Sequence, residues 1–414
     1  MKENGEKVQG LRPGSVRGNI VVIDDKPANL RLITAMLEEQ GHRVRPVLDG
    51  QQGLDAVRAE LPDLILLDVK MPEMDGYQVC EHLKADKRTR DIPVIFISAM
   101  DALLDKVEAF RMGGVDYITK PFQITEVLAR VETHLALFHT SRQLQRANEK
   151  MAKELVLAGK VQRSLLPIEL PAIAGWELAV KFEPAGETSG DFFDVRLLPN
   201  GNVCMLVADV IDKGVSAALF MALTWHALRV YADRFPANPE RAVGALNNYV
   251  LRNIPTGQFV TIFFGILDPA SGKLCYCNAG HHSPFHVRRK NPDAADELRS
   301  TGIPVGFIEN TVWEQAAAEL DPGDLLAIYT DGVTEARSPQ GTFFSERGLL
   351  GSMRKQSGNS PRDVVGAVFT DLQTFMAGGA RTDDITLLAI KRDGFENAPP
   401  QAEGNTRKTE SVLR

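Results

Sequence analysis

From Asn19 to Phe138 the sequence alternates short β-rich apolar runs with amphipathic helical stretches, and this alternation constrains the fold more than any other feature. The runs are Ile20–Ile23, Leu64–Leu67, Val94–Ile97 and Val115–Ile118, with a weaker one at Val44–Leu48. Stretches such as Asn29–Glu39 and Leu103–Met112 lie between them. Strands that follow one another through helices pair in parallel and are covered on both faces. Five such units fit a doubly wound, flavodoxin-like α/β domain of strand order 2-1-3-4-5 over residues 19–138.

At 414 residues the chain is long for one average domain, and its pattern changes twice after Phe138. Leu137, Leu144, Met151, Ala158 and Leu165 recur every seven residues, the spacing of a coiled-coil seam. The companion positions are Ser141, Asn148, Leu155 and Gln162, three of them polar. Residues 139–167 therefore read as a helical coiled-coil linker, a weak and register-sensitive dimer helix that Pro167 ends. From residue 168 to 394 long β-rich runs (Trp176–Phe182, Asn202–Asp209, Phe259–Asp268, Lys273–Asn278, Leu325–Asp331, Ile385–Lys391) mix with long helices. Strands grouped apart from helices indicate an α+β domain, most simply a β-sandwich flanked by helices. One helix, from about Val215, contains the run Ala217–Leu223; being apolar all round, it is expected to be buried between layers, with His226 hydrogen-bonded inside it. The other helices read from Glu240 to Leu251 and from Pro361 to Met376. Residues 1–18 and 395–414 are polar and expected to be disordered.

Composition narrows the partners. A net charge of −7 argues against a nucleic-acid or anionic-membrane surface. No run of about 18 uninterrupted apolar residues calls for a membrane span, and Met1–Gly18 lacks the apolar core of a signal peptide. Cys80, Cys204, Cys275 and Cys277 show neither a zinc pattern nor a disulfide framework and read as reduced thiols of a cytoplasmic protein. Trp176, Trp225 and Trp313 are scattered and read as core.

Polar residues gather at the carboxyl ends of the first domain's runs, where open α/β sheets bind ligands. Asp24 and Asp25 end the first; Asp68 ends the third, in Leu-Leu-Asp-Val-Lys-Met-Pro-Glu-Met-Asp-Gly. Ser98 follows the fourth, and Lys120 the fifth, in Thr-Lys-Pro-Phe. Three crowded carboxylates repel unless a cation sits among them, and hard oxygen ligands favour Mg²⁺. A phosphoryl group arriving on one of them would have its oxygens neutralised by Mg²⁺, the Lys120 ammonium and the Ser98 hydroxyl. This constellation resembles the response-regulator receiver family over residues 19–138, with intervals of 30 residues from Asp68 to Ser98 and 52 to Lys120. The resemblance implies that Asp68 is the phosphoacceptor, that Asp24, Asp25 and the Lys70 carbonyl hold Mg²⁺ with it, and that Tyr117 is the aromatic switch. It also implies a histidine kinase or phosphotransfer protein as partner, with receiver pairing and the linker making a homodimer.

The second domain carries acids in four places: Asp191 in Ser-Gly-Asp-Phe-Phe-Asp, Asp209 in Ala-Asp-Val-Ile-Asp-Lys-Gly, Asp331 in Tyr-Thr-Asp-Gly-Val, and Asp383–Asp384 in Arg-Thr-Asp-Asp-Ile-Thr. Acids at the margins of apolar strands are costly to bury without a counter-ion. With no Ser-His-Asp set, P-loop or Cys-x5-Arg cradle, they point to a pair of Mg²⁺ or Mn²⁺ ions activating water. These segments resemble the PPM family of metal-dependent serine/threonine phosphatases, in its SpoIIE-type branch. Val-Gln-Arg-Ser-Leu-Leu-Pro (161–167), Lys-Gly-Val-Ser-Ala-Ala-Leu-Phe-Met-Ala (213–222), Asn-Ala-Gly-His-His-Ser-Pro (278–284) and Gly-Ile-Pro-Val-Gly (302–306) share the likeness. It implies Asp191, Asp209, Asp331 and Asp383 as metal ligands, joined by the Val210 carbonyl, with Asp384 binding or orienting the set. It implies that His281 and His282 shape the surroundings without being ligands. It further implies a phosphorylated anti-sigma-factor antagonist as substrate, in a partner-switching pathway. Ser189 stands where the family often has Gly, as does Asp212, which would either bind a third ion or, the favoured expectation, face solvent.

Overall fold

The computed structural model describes residues 17–99, 108–254, 257–292, 294–356, 358–379 and 381–393. Much of the expected helix Leu103–Met112 and the ends expected to be disordered lie outside the described residues. The chain divides into two compact units, residues 1–151 and 152–414.

In the first unit β1 (Asn19–Ile23), β2 (Arg43–Val47), β3 (Leu64–Asp68), β4 (Val94–Ala99) and β5 (Asp116–Lys120) form one parallel sheet of order β2-β1-β3-β4-β5. Alternate side chains feed two cores. Ile20, Val22, Leu64, Leu66, Ile95, Ile97 and Ile118 pack with α1 (Pro27–Glu39) and the start of α4 (Ile124–Leu165). Val21, Ile23, Ile65, Leu67, Val94 and Phe96 pack with α2 (Gly50–Ala59) and α3 (Gly76–Ala85). Burial on both faces is why these strands read as unbroken apolar runs. Asp49 caps α2 through the Gln52 amide, and an Asp75/Gln78 capping box starts α3.

The expected boundary at residue 138 falls inside α4, a single 42-residue helix. Val127, Val131 and Leu135 of its first turns are buried against the sheet. Leu137, Leu144 and Met151 of the seam are exposed. The seam does not stay free to its end: Gln162 is buried and Leu165 packs against the second unit's core.

The second unit holds two five-stranded antiparallel sheets. One has the order β13-β10-β9-β8-β7, from β7 (Phe192–Leu197), β8 (Val203–Val210), β9 (Val260–Leu267), β10 (Lys273–Ala279) and β13 (Ala316–Glu319). The other runs β12-β11-β14-β15-β6, from β6 (Trp176–Glu183), β11 (Phe285–Val287), β12 (Ala295–Glu297), β14 (Leu325–Tyr329) and β15 (Ile385–Arg392). Leu326, Ile328, Leu388 and Ile390 join the core of the first sheet, whereas Ala327, Tyr329, Leu387 and Ala389 join that of α8 (Ser345–Lys355) and α9 (Pro361–Met376). The sheets therefore pack face to face with helices outside, α5 (Val215–Arg234) and α6 (Pro239–Asn253) covering the other side.

Helix α5 corrects two expectations. Only one side, including Ala217, Phe220, Met221, Trp225 and Leu228, is buried. Val215, Leu219, Leu223 and Val230 face outward, Leu219 with 63% of its surface exposed. His226 lies on this outer stripe and is exposed, not buried. An outer helix meets the sheet along one stripe, so apolar composition all round does not by itself bury it. Trp176, Trp225 and Trp313 are core residues.

Candidate active site

Both acidic constellations sit where strands end. In the first unit Asp24 and Asp68 are buried, and one oxygen from each of Asp24, Asp25 and Asp68 lies within 4.8 Å of the others. The Lys120 ammonium, from the end of β5, reaches Asp24 at 2.9 Å and Asp68 at 2.7 Å. Asp24 also accepts from the Lys26 amide and the Asn29 side chain. Burial holds the Asp68 pKa above the usual carboxylate value, with Lys120 pulling the other way. Burial opposes the Lys120 charge, but its bonds to Asp68 and Asp24 outweigh that and raise its pKa. Asp25 Oδ1 is buried with no hydrogen-bond partner among the described residues, an open lone pair that fits a hard cation.

The Lys70 amide donates to Asp68 while the Lys70 side chain is exposed. Ser98 is buried on β4, paired in register with Thr119. Tyr117 is half-buried, edge-on to Phe110 and beneath the Arg130 guanidinium. Gly76 is required at its position because a Cβ there would come 2.2 Å from the Asp68 carbonyl oxygen.

In the second unit the acids come from both sheets. Asp191 precedes β7, Asp209 lies near the end of β8, Asp331 begins the short helix α7 (Asp331–Thr334) after β14, and Asp383 and Asp384 precede β15. Asp191 is fully enclosed, with one oxygen accepting from Thr330 at 2.7 Å and Thr386 at 2.6 Å. Burial, then Asp209 and Asp384, hold its pKa well above the usual value. Burial, then Asp331 and Asp383, push Asp209 up to about 7. Asp331 is raised by burial and then by Asp383, with His282 opposing. Like charges brought this close retain protons unless cations replace them. An all-oxygen donor set of this kind suits hard divalent ions, although among the described residues it is the Asp24, Asp25 and Asp68 oxygens that lie within 4.8 Å of one another.

Asp384 plays a different part from its neighbour. Its two oxygens accept from the Ala185 amide (2.7 Å), the Ser189 hydroxyl (2.7 Å) and the Gly190 amide (2.8 Å), so it fastens the loop ahead of Asp191. Asp383 is more open and pairs with Lys213 at 2.9 Å. The Val210 carbonyl faces Gly190, where a Cβ would stand 3.0 Å from it. Gly332 is obligatory, since a Cβ would meet the Asp384 carbonyl oxygen at 1.8 Å. His281 is buried, bonds Thr261 at 2.9 Å, and is driven down to about 3 by burial and by His282. Asp212 is exposed. Asp194, the second acid of the Asp191 segment, is buried but turned to Arg229 at 3.2 Å.

Sequence reasoning missed four contributors: Gln162, Thr330, Thr386 and Lys213. Gln162 donates to the Ser189 carbonyl and accepts from its amide, joining the end of α4 to the Asp384-bound loop. Its signal was a polar side chain at a seam position. Thr386, two residues beyond Asp384 on a strand, shares that residue's face.

Residues 20–132 match the family model described as response regulator receiver domain, and residues 199–393 match that of stage II sporulation protein E (SpoIIE). The chain joins a response-regulator receiver domain to a SpoIIE-family domain. Protein IcfG of Synechocystis sp. is 32% identical over 266 residues, 58% of this chain and 42% of IcfG. Phosphoserine phosphatase RsbU of Bacillus subtilis is 26% identical over 255 residues, covering 60% of this chain and 73% of RsbU. The chain spans less than half the length of IcfG. The SiaA-PP2C domain of Pseudomonas aeruginosa matches in fold, with a TM-score of 0.54 at 20% identity, covering 60% of this chain and 99% of that domain. The five-stranded parallel sheet is thus the receiver domain, and the matched SpoIIE segment contains Asp209, Asp331, Asp383 and Asp384, with Asp191 eight residues ahead of it.

Proposed function

We propose that this chain is a two-component response regulator in which phosphorylation of Asp68 controls a metal-dependent phosphoserine/phosphothreonine protein phosphatase. The observation that carries the reading is the gathering of carboxylates from both sheets at strand ends, where burial and neighbouring carboxylates raise the pKa of Asp191, Asp209 and Asp331. Asp191, Asp209, Asp331, Asp383 and the Val210 carbonyl would hold two Mn²⁺ or Mg²⁺ ions, and Mg²⁺ would be held by Asp24, Asp25, Asp68 and the Lys70 carbonyl in the receiver domain. The ions of such a site supply an activated water and neutralise phosphoryl charge. The chain's own residues aim the ligands: Thr330 and Thr386 fix Asp191, and Asp384 fixes the loop in front of it.

The substrate is a phosphorylated anti-sigma-factor antagonist or similar small regulator, and the phosphate on Asp68 comes from a histidine kinase or phosphotransfer protein. The name of RsbU, a phosphoserine phosphatase, supports the reaction class. Helix α4 offers a route for control, because Gln162 grips Ser189, which donates to Asp384. The exposed Leu137, Leu144 and Met151 would pair two copies, in the cytoplasm.

The test is Mn²⁺-dependent hydrolysis of a phosphoserine protein, with and without beryllofluoride, alongside Asp209→Asn. Activity lost in the variant and altered by beryllofluoride is expected. No metal-dependent turnover on peptide or antagonist protein would replace this reading with a non-catalytic adaptor.

A further inference from the structure

One cation stands within the second acidic cluster without being a candidate metal. The Lys213 Nζ lies 2.9 Å from an Asp383 oxygen and donates to the Thr382 carbonyl at 2.6 Å. It does so from the connection between β8, which carries Asp209, and α5. Asp212 and Gly214 on either side have φ of +78° and +83°, turning the chain so that the lysine stem reaches the 382–384 segment. The same Asp383 oxygen also accepts the Asp384 amide at 2.9 Å, so its acceptor capacity is taken by protein donors.

An ammonium and a divalent ion cannot share that oxygen without repelling each other. The Lys213 side chain is 58% exposed, so its ion pair can open into water at little cost. We propose that Lys213 is a built-in counter-cation at Asp383, which an incoming divalent ion must displace, and that it sets the ion concentration at which the site loads. The inference rests on the metal-site reading above. It concerns how readily the site fills rather than which reaction follows.

The opposite role is a lysine that props Asp383 in place for the metal, and it predicts the opposite sign. Full-length protein carrying Asp25→Asn, to remove ion binding by the receiver domain, would be titrated with Mn²⁺ by calorimetry. Lys213→Met and Lys213→Gln are expected to bind Mn²⁺ about fivefold more tightly than this parent, the scale of an exposed ion pair. Lys213→Arg, which keeps the charge, is expected to stay near the parent, and thermal melting would verify that each variant is folded. Unchanged or weaker Mn²⁺ binding in both neutral variants would overturn the inference and leave the metal site standing. Parent binding that Asp209→Asn does not alter would overturn the metal-site reading and the inference together.

Discussion

Gly159 gives the sharpest test of how α4 meets the SpoIIE-family domain. It lies in the interior of a helix, where replacing Gly by Ala ordinarily gains about 1 kcal/mol. Here a Cβ would stand 1.8 Å from the Glu187 carbonyl oxygen and 2.9 Å from its carbon, backbone atoms that cannot swing aside. Relief requires the helix end or the 185–190 loop to move by more than an ångström, and overpacking of that kind costs about 1–3 kcal/mol. The movement would also strain the two Gln162–Ser189 hydrogen bonds, each worth about 1 kcal/mol. Set against the propensity gain, Gly159→Ala is expected to destabilise the domain by about 2 kcal/mol, lowering its melting temperature by roughly 4–8 °C. Gly366 is the control: it too is helical, nothing lies within 4 Å of its Cβ position, and Gly366→Ala is expected to hold or raise the melting temperature. Melting of both variants by circular dichroism decides the matter. A Gly159→Ala protein as stable as the parent would refute the close contact between α4 and the loop.

Three further outcomes are expected. A carboxyl held at about 7 instead of 3.8 favours the folded state at low pH, by about 4 kcal/mol before solvent screening. Metal-free protein should therefore lose this contribution as pH rises from about 4 through 7; melting in EDTA should show it, Asp209→Asn should flatten it, and added Mn²⁺ should stabilise more at pH 7.5 than at 5.5. Thr386→Val removes one of two hydroxyls that favour the ionised form of Asp191 and should weaken Mn²⁺ binding about tenfold by calorimetry, with near-parental affinity counting against that role. On the proposed function, Asp68→Ala should leave the basal phosphatase rate in place and abolish its response to acetyl phosphate, a retained response showing that control enters elsewhere.

Much of this architecture is written in local patterns. The parallel sheet of the receiver domain followed from continuous apolar runs separated by helices, because strands buried on both faces admit no polar alternation. Asp24, Asp25, Asp68 and Lys120 lie at the ends of such runs, so a linear reading could place them at one edge before any contact was known. The sandwich was legible as a class, although the short strands β11, β12 and β13 were missed, as was β7, where Phe192 and Phe193 break the alternation of a half-exposed strand.

The sequence by itself determined the strand order of the receiver domain and the layered class of the second domain, and it singled out the acids at strand ends. Only the tertiary structure decided that Asp384 ties down a loop while Asp383 meets Lys213, since adjacent residues ahead of a strand point in different directions. It alone showed that one flank of α5 is open, and that Gln162 belongs to the second core rather than to a helix seam. The reason is common to all three. Periodicity records which face of an element is apolar, whereas the partner of a given face or polar atom is set by residues tens to hundreds of positions away.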